Sequence, residues 1–151
     1  MKNKKFHFDE NVRINNQRCA AIIIKDHSLL FMHRIKDGKD FYVLIGGHMQ
    51  KGEEYQETVK REIWEEASIT VRNIKPAFDF KDYIKDNYDY YFICNWEDGD
   101  TKLGGEELLG NCTENMYSLE WIKYENVYTL NILPKAAKEW ILESVITKEM
   151  L

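Results

Sequence analysis

Three glutamates, Glu62, Glu65 and Glu66, stand at spacings of three and four residues. On a helix turning about 100° per residue they fall within an arc of about 100°. Like charges so placed repel each other and weaken a helix by a few tenths of a kcal/mol per pair. A hard divalent cation removes that repulsion, because Mg²⁺ and Mn²⁺ prefer carboxylate oxygens. Glu53 lies just before the same segment and is expected to reach the same region. Gly46 and Gly47 follow an apolar stretch, and backbone free of side chains there can bring a carbonyl close to a cation. Taken alone, the carboxylates fit an exposed, Glu-rich amphipathic helix after an ordinary Gly-rich loop at least as well.

The surrounding elements must put these groups in one place. Tyr55, Val59, Ile63 and Ala67 recur every fourth residue and mark one helical face. Acidic Glu53, Glu54 and Glu57 open this helix, as its dipole favours. Upstream, Cys19 to Ile24 reads as a buried strand, Asp26–Ser28 as a turn, and Leu29 to His33 as a hairpin partner. Lys36 to Asp40 reads as a polar loop, and Phe41 to Ile45 as a strand stopped by Gly46 and Gly47. Downstream, Ile69–Ile74 and Phe78–Ile84 are extended around Pro76, and Tyr88–Trp96 is an aromatic strand before a turn at Asp98–Asp100. Gly104 to Asn115 reads as a loop and Tyr117 to Ile122 as a short strand. Pro134 opens a last helix that buries Ala137, Trp140, Ile141 and Val145. Strands interrupted by two helical segments predict an α/β (α+β) domain. The early hairpin and the lack of G-x-G-x-x-G argue against a Rossmann fold.

Composition narrows the function. The 151 residues match one domain, and 44% hydrophobic with 31% charged residues is ordinary for a globular protein. No apolar run spans a membrane, and the basic start Met1–Phe8 has no apolar segment after it, so a cytoplasmic protein is expected. The net charge of −5 argues against a nucleic-acid partner. Cys19, Cys94 and Cys112 show no C-x-x-C spacing and are expected to be buried thiols.

The full spacing is more specific. Gly47, five residues, Glu53, seven residues, Arg61-Glu62-Ile63, one residue, Glu65-Glu66, one residue, Ser68-Ile69 resembles the Nudix box, G-x5-E-x7-R-E-U-x-E-E-x-G-U. Eight of nine specified positions match, with Ser68 in place of the last glycine. The resemblance implies an α-β-α sandwich with a mixed sheet, a single domain over residues 1–151, and hydrolysis of a nucleoside diphosphate linked to another moiety. It implies that Glu62, Glu65 and Glu66 bind Mg²⁺ or Mn²⁺, with the Gly46 carbonyl as a further ligand and Glu53 as an outer acid. Arg61 corresponds to the arginine that orients these acids. Glu62 and Glu66 are then catalytic candidates.

A base outside the box is the alternative to Glu62, and Gly-Gly-x-Glu in the family selects Glu107, with Glu106 adjacent. Arg34, beside His33, is a candidate phosphate contact or part of a plain surface pair, and His48 is a candidate substrate contact or packs in the loop. Tyr83, Tyr88, Tyr90, Tyr91 and Trp96 offer either a base-stacking platform or core. Ser68 is expected in a left-handed conformation just past a helix ending near Ala67. The markers of the family's ADP-ribose, dinucleoside polyphosphate and coenzyme A hydrolases are missing, which leaves the small nucleotide or nucleotide sugar open. The expected partner is that substrate, with the protein a monomer or homodimer. Action on an RNA 5′ end is disfavoured by the acidity. The rival is a non-catalytic Nudix-fold module that binds or senses nucleotides.

Overall fold

A computed structural model describes residues 17–112 and 114–150, without the side chains of residues 106, 108, 109 and 150. The N-terminal stretch Met1–Phe8 lies outside it. Among the described residues no helix is long and apolar enough to cross a membrane.

A mixed seven-stranded sheet forms the middle layer. β1 (Gln17–Lys25) and β2 (Ser28–Lys36) make a hairpin whose turn residues, Asp26 and His27, both have positive φ. Such turns match the right-handed twist of the flanking strands. β1 and β2 pair directly only beside the turn. Further along they diverge and free their facing edges, while on their outer edges β1 pairs in parallel with β6 (Asn87–Asp98) and β2 antiparallel with β7 (Asn115–Lys123).

This divergence overturns the expected single strand from Phe41 to Ile45. β3 (Lys39–Val43) follows β2, the chain changes partner at Leu44, and β4 (Ile45–His48) follows β1. Gly46 and Gly47 therefore lie inside a strand and do not stop one. The expected polar loop at Lys36–Asp40 shrinks to a two-residue turn, Asp37 and Gly38, both at positive φ. β5 (Thr70–Asp82) pairs antiparallel with β6 and takes up Pro76 beside register irregularities, where a missing N–H is tolerated.

Helices cover both faces. α1 (Tyr55–Ala67) buries Val59, Ile63 and Ala67 against Cys19, Ala21, Ile23 and Tyr90. On the other face α4 (Lys135–Ile141) runs on through a wider π-type turn, Leu142–Ile146, into α5 (Thr147–Met150). Its Ala137, Ile141 and Val145 pack with Ala20, Ile22 and Phe31, while Trp140 is half-buried against Phe78. The alternation of β1 explains both cores, since odd-numbered residues face α1 and even-numbered ones face α4. Two short helices were not expected: α2 (Gly105–Gly110), within the stretch read as a loop, and α3 (Tyr124–Val127).

Cys19 and Cys94 are buried thiols, but Cys112 is exposed and corrects the expectation for it. Tyr90 and Tyr91 belong to the core, whereas Tyr83 is 86% exposed at the β5–β6 hairpin tip. Trp96 lies half-buried under Lys25 and Tyr88 half-buried beside Tyr90, so these aromatics form no common platform.

Candidate active site

α1 ends at Ala67, and Ser68 caps it at φ 59°, with its N–H donating to the Trp64 carbonyl. The left-handed residue turns the chain away and leaves the last carbonyls of α1 in need of donors. The chain returns to supply them 35 residues later. Lys102 N–H donates to the Ala67 carbonyl and Gly104 N–H to the Glu66 carbonyl. A Cβ on Gly104 would stand 2.5 Å from the Glu65 carbonyl oxygen, so this approach requires glycine. Docked there, α2 carries Glu107 to the side of Glu66.

On the facing wall, β4 brings Gly47 against Glu62. A Cβ at Gly47 would lie 2.2–2.5 Å from the Glu62 carboxylate atoms. Glycine is thus the space into which that carboxylate fits. The resulting cavity, about 510 Å³, is lined by Gly46, Gly47, Glu62, Glu65, Glu66 and Glu107, with Arg18, His48 and Arg61 at its borders.

Arg61 organises the acids. Its Nε and Nη2 hold the two oxygens of Glu53 at 2.7 and 3.0 Å. Its Nη1 donates to Glu62 at 2.7 Å and Glu65 at 3.3 Å, and its Nη2 also donates to the His48 carbonyl at 3.0 Å. This planar fork ties α1 to β4 as an ammonium could not. Glu53 takes further hydrogen bonds from Gln50 N–H and Thr58 Oγ1. Chiefly through Arg61, it is held down to about 2 and stays ionised. Its oxygens are committed to Arg61, so it acts on the cluster through that side chain.

Burial raises Glu62 above the ordinary carboxylate range against the pull of Arg61. Burial and then the neighbouring Glu107 push Glu66 up to about 10. Glu66 is 8% exposed, and its Oε2 is buried with no hydrogen-bond partner. The Gly46 carbonyl accepts from Arg18 at 3.3 Å. Among the described residues no three His, Cys, Asp or Glu side chains close on one point as a ready-made cage. The donor set is nonetheless all hard oxygen, with one orphaned buried carboxylate oxygen, which suits Mg²⁺ or Mn²⁺.

The other expected contacts are distributed differently. His48 is exposed at the rim. His33 is engaged by Asp40 and Glu120 at 2.5 Å each and stacks on Tyr42, so it is committed within the sheet. Arg34 donates to Asn115 and lies over the Tyr117 ring. It lines a neighbouring cavity, not the carboxylate cleft. Arg18 was missed by the sequence reading. Its only signal is its position at the start of β1 beside the glycine strand.

A family model described as the NUDIX domain matches residues 15–143. Among curated proteins, the chain is similar to the NAD-capped RNA hydrolase NudC of Mannheimia succiniciproducens, 27% identical over 114 residues, covering 74% of this chain and 38% of that protein. It is also similar to NudC of Shigella dysenteriae, 23% identical over 128 residues, covering 84% and 47%. The chain therefore spans less than half the length of these relatives. Among solved structures, one from a study of MutT from Aliivibrio salmonicida and Vibrio cholerae superposes with a TM-score of 0.67 at 19% identity, covering 87% of this chain and 97% of that one. A UDP-X diphosphatase superposes at 0.63 with 17% identity, covering 94% and 67%. The architecture, the box and the family match agree: this chain belongs to the Nudix hydrolase family.

Proposed function

We propose that the chain, as a single domain, is a divalent-metal-dependent pyrophosphohydrolase that cleaves a nucleoside diphosphate linked to another moiety. The observation that carries this reading is the buried Glu66, with an unpartnered Oε2, set between Glu62 and Glu107 in one cleft. Glu62, Glu65, Glu66 and the Gly46 carbonyl would hold Mg²⁺ or Mn²⁺. Such an ion neutralises the diphosphate, polarises phosphorus and lowers the pKa of an attacking water. Arg61 positions Glu62 and Glu65, and Glu53 keeps Arg61 in place. Glu107, at the edge of the cleft, or Glu62 accepts the proton of the attacking water. Arg18 and His48 at the rim meet the anionic substrate.

The similarity to proteins named NAD-capped RNA hydrolase supports a dinucleotide-type diphosphate as a first substrate to assay. It runs against the expectation, drawn from the net charge, that nucleic acid is not a partner.

The test is a panel of nucleotide sugars, dinucleotides and nucleoside triphosphates, scored for phosphate or nucleoside monophosphate release with Mg²⁺ and with Mn²⁺. Glu66→Gln is expected to fold and to lose on the order of a hundredfold or more in turnover. Undiminished activity of that variant, or of the wild type in excess EDTA, rules out the proposed site. Nucleotide binding without turnover of any member identifies the non-catalytic module instead.

A further inference from the structure

A second cavity, about 550 Å³, borders the carboxylate cleft and shares Arg18 and His48 with it. Its walls include Phe41, Phe80, Tyr91 and Pro134, and Arg34 and Lys36 also line it. Asp82, Lys85 and Asn87 add to its polar side, and apolar walls beside placed polar groups can hold and orient a small molecule. Asp89 also lines it and is 9% exposed. Its Oδ1 is buried and has no hydrogen-bond partner. Asp89 stands directly across from Arg18 in the parallel β1–β6 pairing, yet among the described residues no ion pair involves it. Arg18 turns instead to the Gly46 carbonyl.

A buried carboxylate oxygen without a partner is costly, so it marks a place where a donor is missing. Burial raises Asp89 above the ordinary carboxylate value against the pull of Arg18. What the unpartnered oxygen lacks is a directional hydrogen bond, and an N–H donor on a planar ring fits both the carboxylate and the aromatic walls.

We propose that Asp89 is a specificity-determining residue that accepts a hydrogen bond from the amino-bearing edge of the substrate's nucleobase, held in this second cavity. The proposal rests on the diphosphate-hydrolase reading, because it takes the shared Arg18–His48 border as the passage from diphosphate to base. A site built around a buried acceptor rejects the analogue that lacks the donor, since the acceptor is then left unpaired.

The test measures calorimetric binding in EDTA of nucleoside monophosphate pairs that differ at one amino group, GMP against IMP, AMP against IMP and CMP against UMP. The wild type is expected to favour the amino-bearing member of at least one pair by about tenfold or more. Asp89→Leu is expected to remove that preference, and Asp89→Asn, which keeps one acceptor, to retain part of it. Absence of the preference in the wild type overturns the proposal. So does its survival in Asp89→Leu, or an equal weakening of both members, which is the signature of a merely structural carboxylate. Hydrolysis is scored separately. Base preference without turnover removes the enzymatic reading and leaves this one standing, whereas turnover without base preference does the reverse.

Discussion

Adjacent glycines in β4 are expected to fail in opposite ways when given a methyl group. In Gly47→Ala the new Cβ would meet the Glu62 carboxylate at 2.2–2.5 Å, where ordinary contact begins at 3.4 Å. The carboxylate is the free end of a side chain, so it yields by about 1 Å, breaking its 2.7 Å bond to Arg61. Loss of that partly exposed bond costs about 1 kcal/mol, or roughly 2–4 °C in Tm for a chain of this size. A misplacement of about 1 Å at reacting groups is enough for about a hundredfold in rate. Gly46→Ala meets backbone instead, with its Cβ 2.3 Å from the Cys19 carbonyl oxygen and 2.8 Å from the Ala20 Cα. Both belong to the buried strand β1 and cannot yield without breaking the β1–β4 register. That variant is expected to lose about 4 kcal/mol or more, a large part of a typical domain's stability. Thermal unfolding and kcat/KM at saturating Mg²⁺ separate the two. Full activity of Gly47→Ala, or an unchanged Tm for Gly46→Ala, refutes the reasoning.

Three further outcomes are expected. Ser68→Gly relieves a left-handed residue at φ 59° and is expected to be neutral or to stabilise by up to about 1 kcal/mol, with unchanged rate, read by thermal unfolding and turnover. A large loss of either assigns the hydroxyl a role of its own. For His33, burial opposes protonation, but the Asp40 and Glu120 carboxylates outweigh it and hold its pKa above the ordinary value. Its contribution is therefore complete below about pH 6.5, the ordinary imidazole value, and is lost as pH rises through the folded value. Denaturant titrations should show His33→Gln destabilising more at low than at high pH, and a gap constant with pH rejects the pairing. Glu107→Gln should cost more maximal rate than Glu106→Gln at saturating metal, and the reverse order reassigns the acid.

The box helix was legible because its signals are local. The four-residue apolar repeat marked the α1 face, and the left-handed Ser68 just past Ala67 followed from the glycine that the resembling box has there. The expectation for Arg61 followed from resemblance, and its side chain hydrogen-bonds to three of the box acids. Non-local choices were not legible. The partner change at Leu44 depends on β1 and β2 separating beyond their turn, so that β3 pairs with one freed edge and β4 with the other, which no pattern within 41–48 encodes. α2 was hidden because its Gly- and Glu-rich sequence has weak helical periodicity, and its position comes from the carbonyls at the end of α1. The unpartnered Asp89 looked like one polar residue in an aromatic strand, since burial of a single position is set by the layers above and below it.

The docking of Lys102 and Gly104 on the end of α1 closes a loop that contains the whole β5–β6 hairpin. The carboxylate cleft is assembled at the base of this loop, whereas Phe80, Asp89 and Tyr91 of the second cavity lie further along the hairpin. Closure entropy rises only slowly with loop length. Residues can therefore be added between Tyr83 and Ile84, both almost fully exposed, at little cost to the base. The fold thus separates two handles: a closure that fixes the end of α1 against α2, and a projecting arm whose length can change without disturbing that closure.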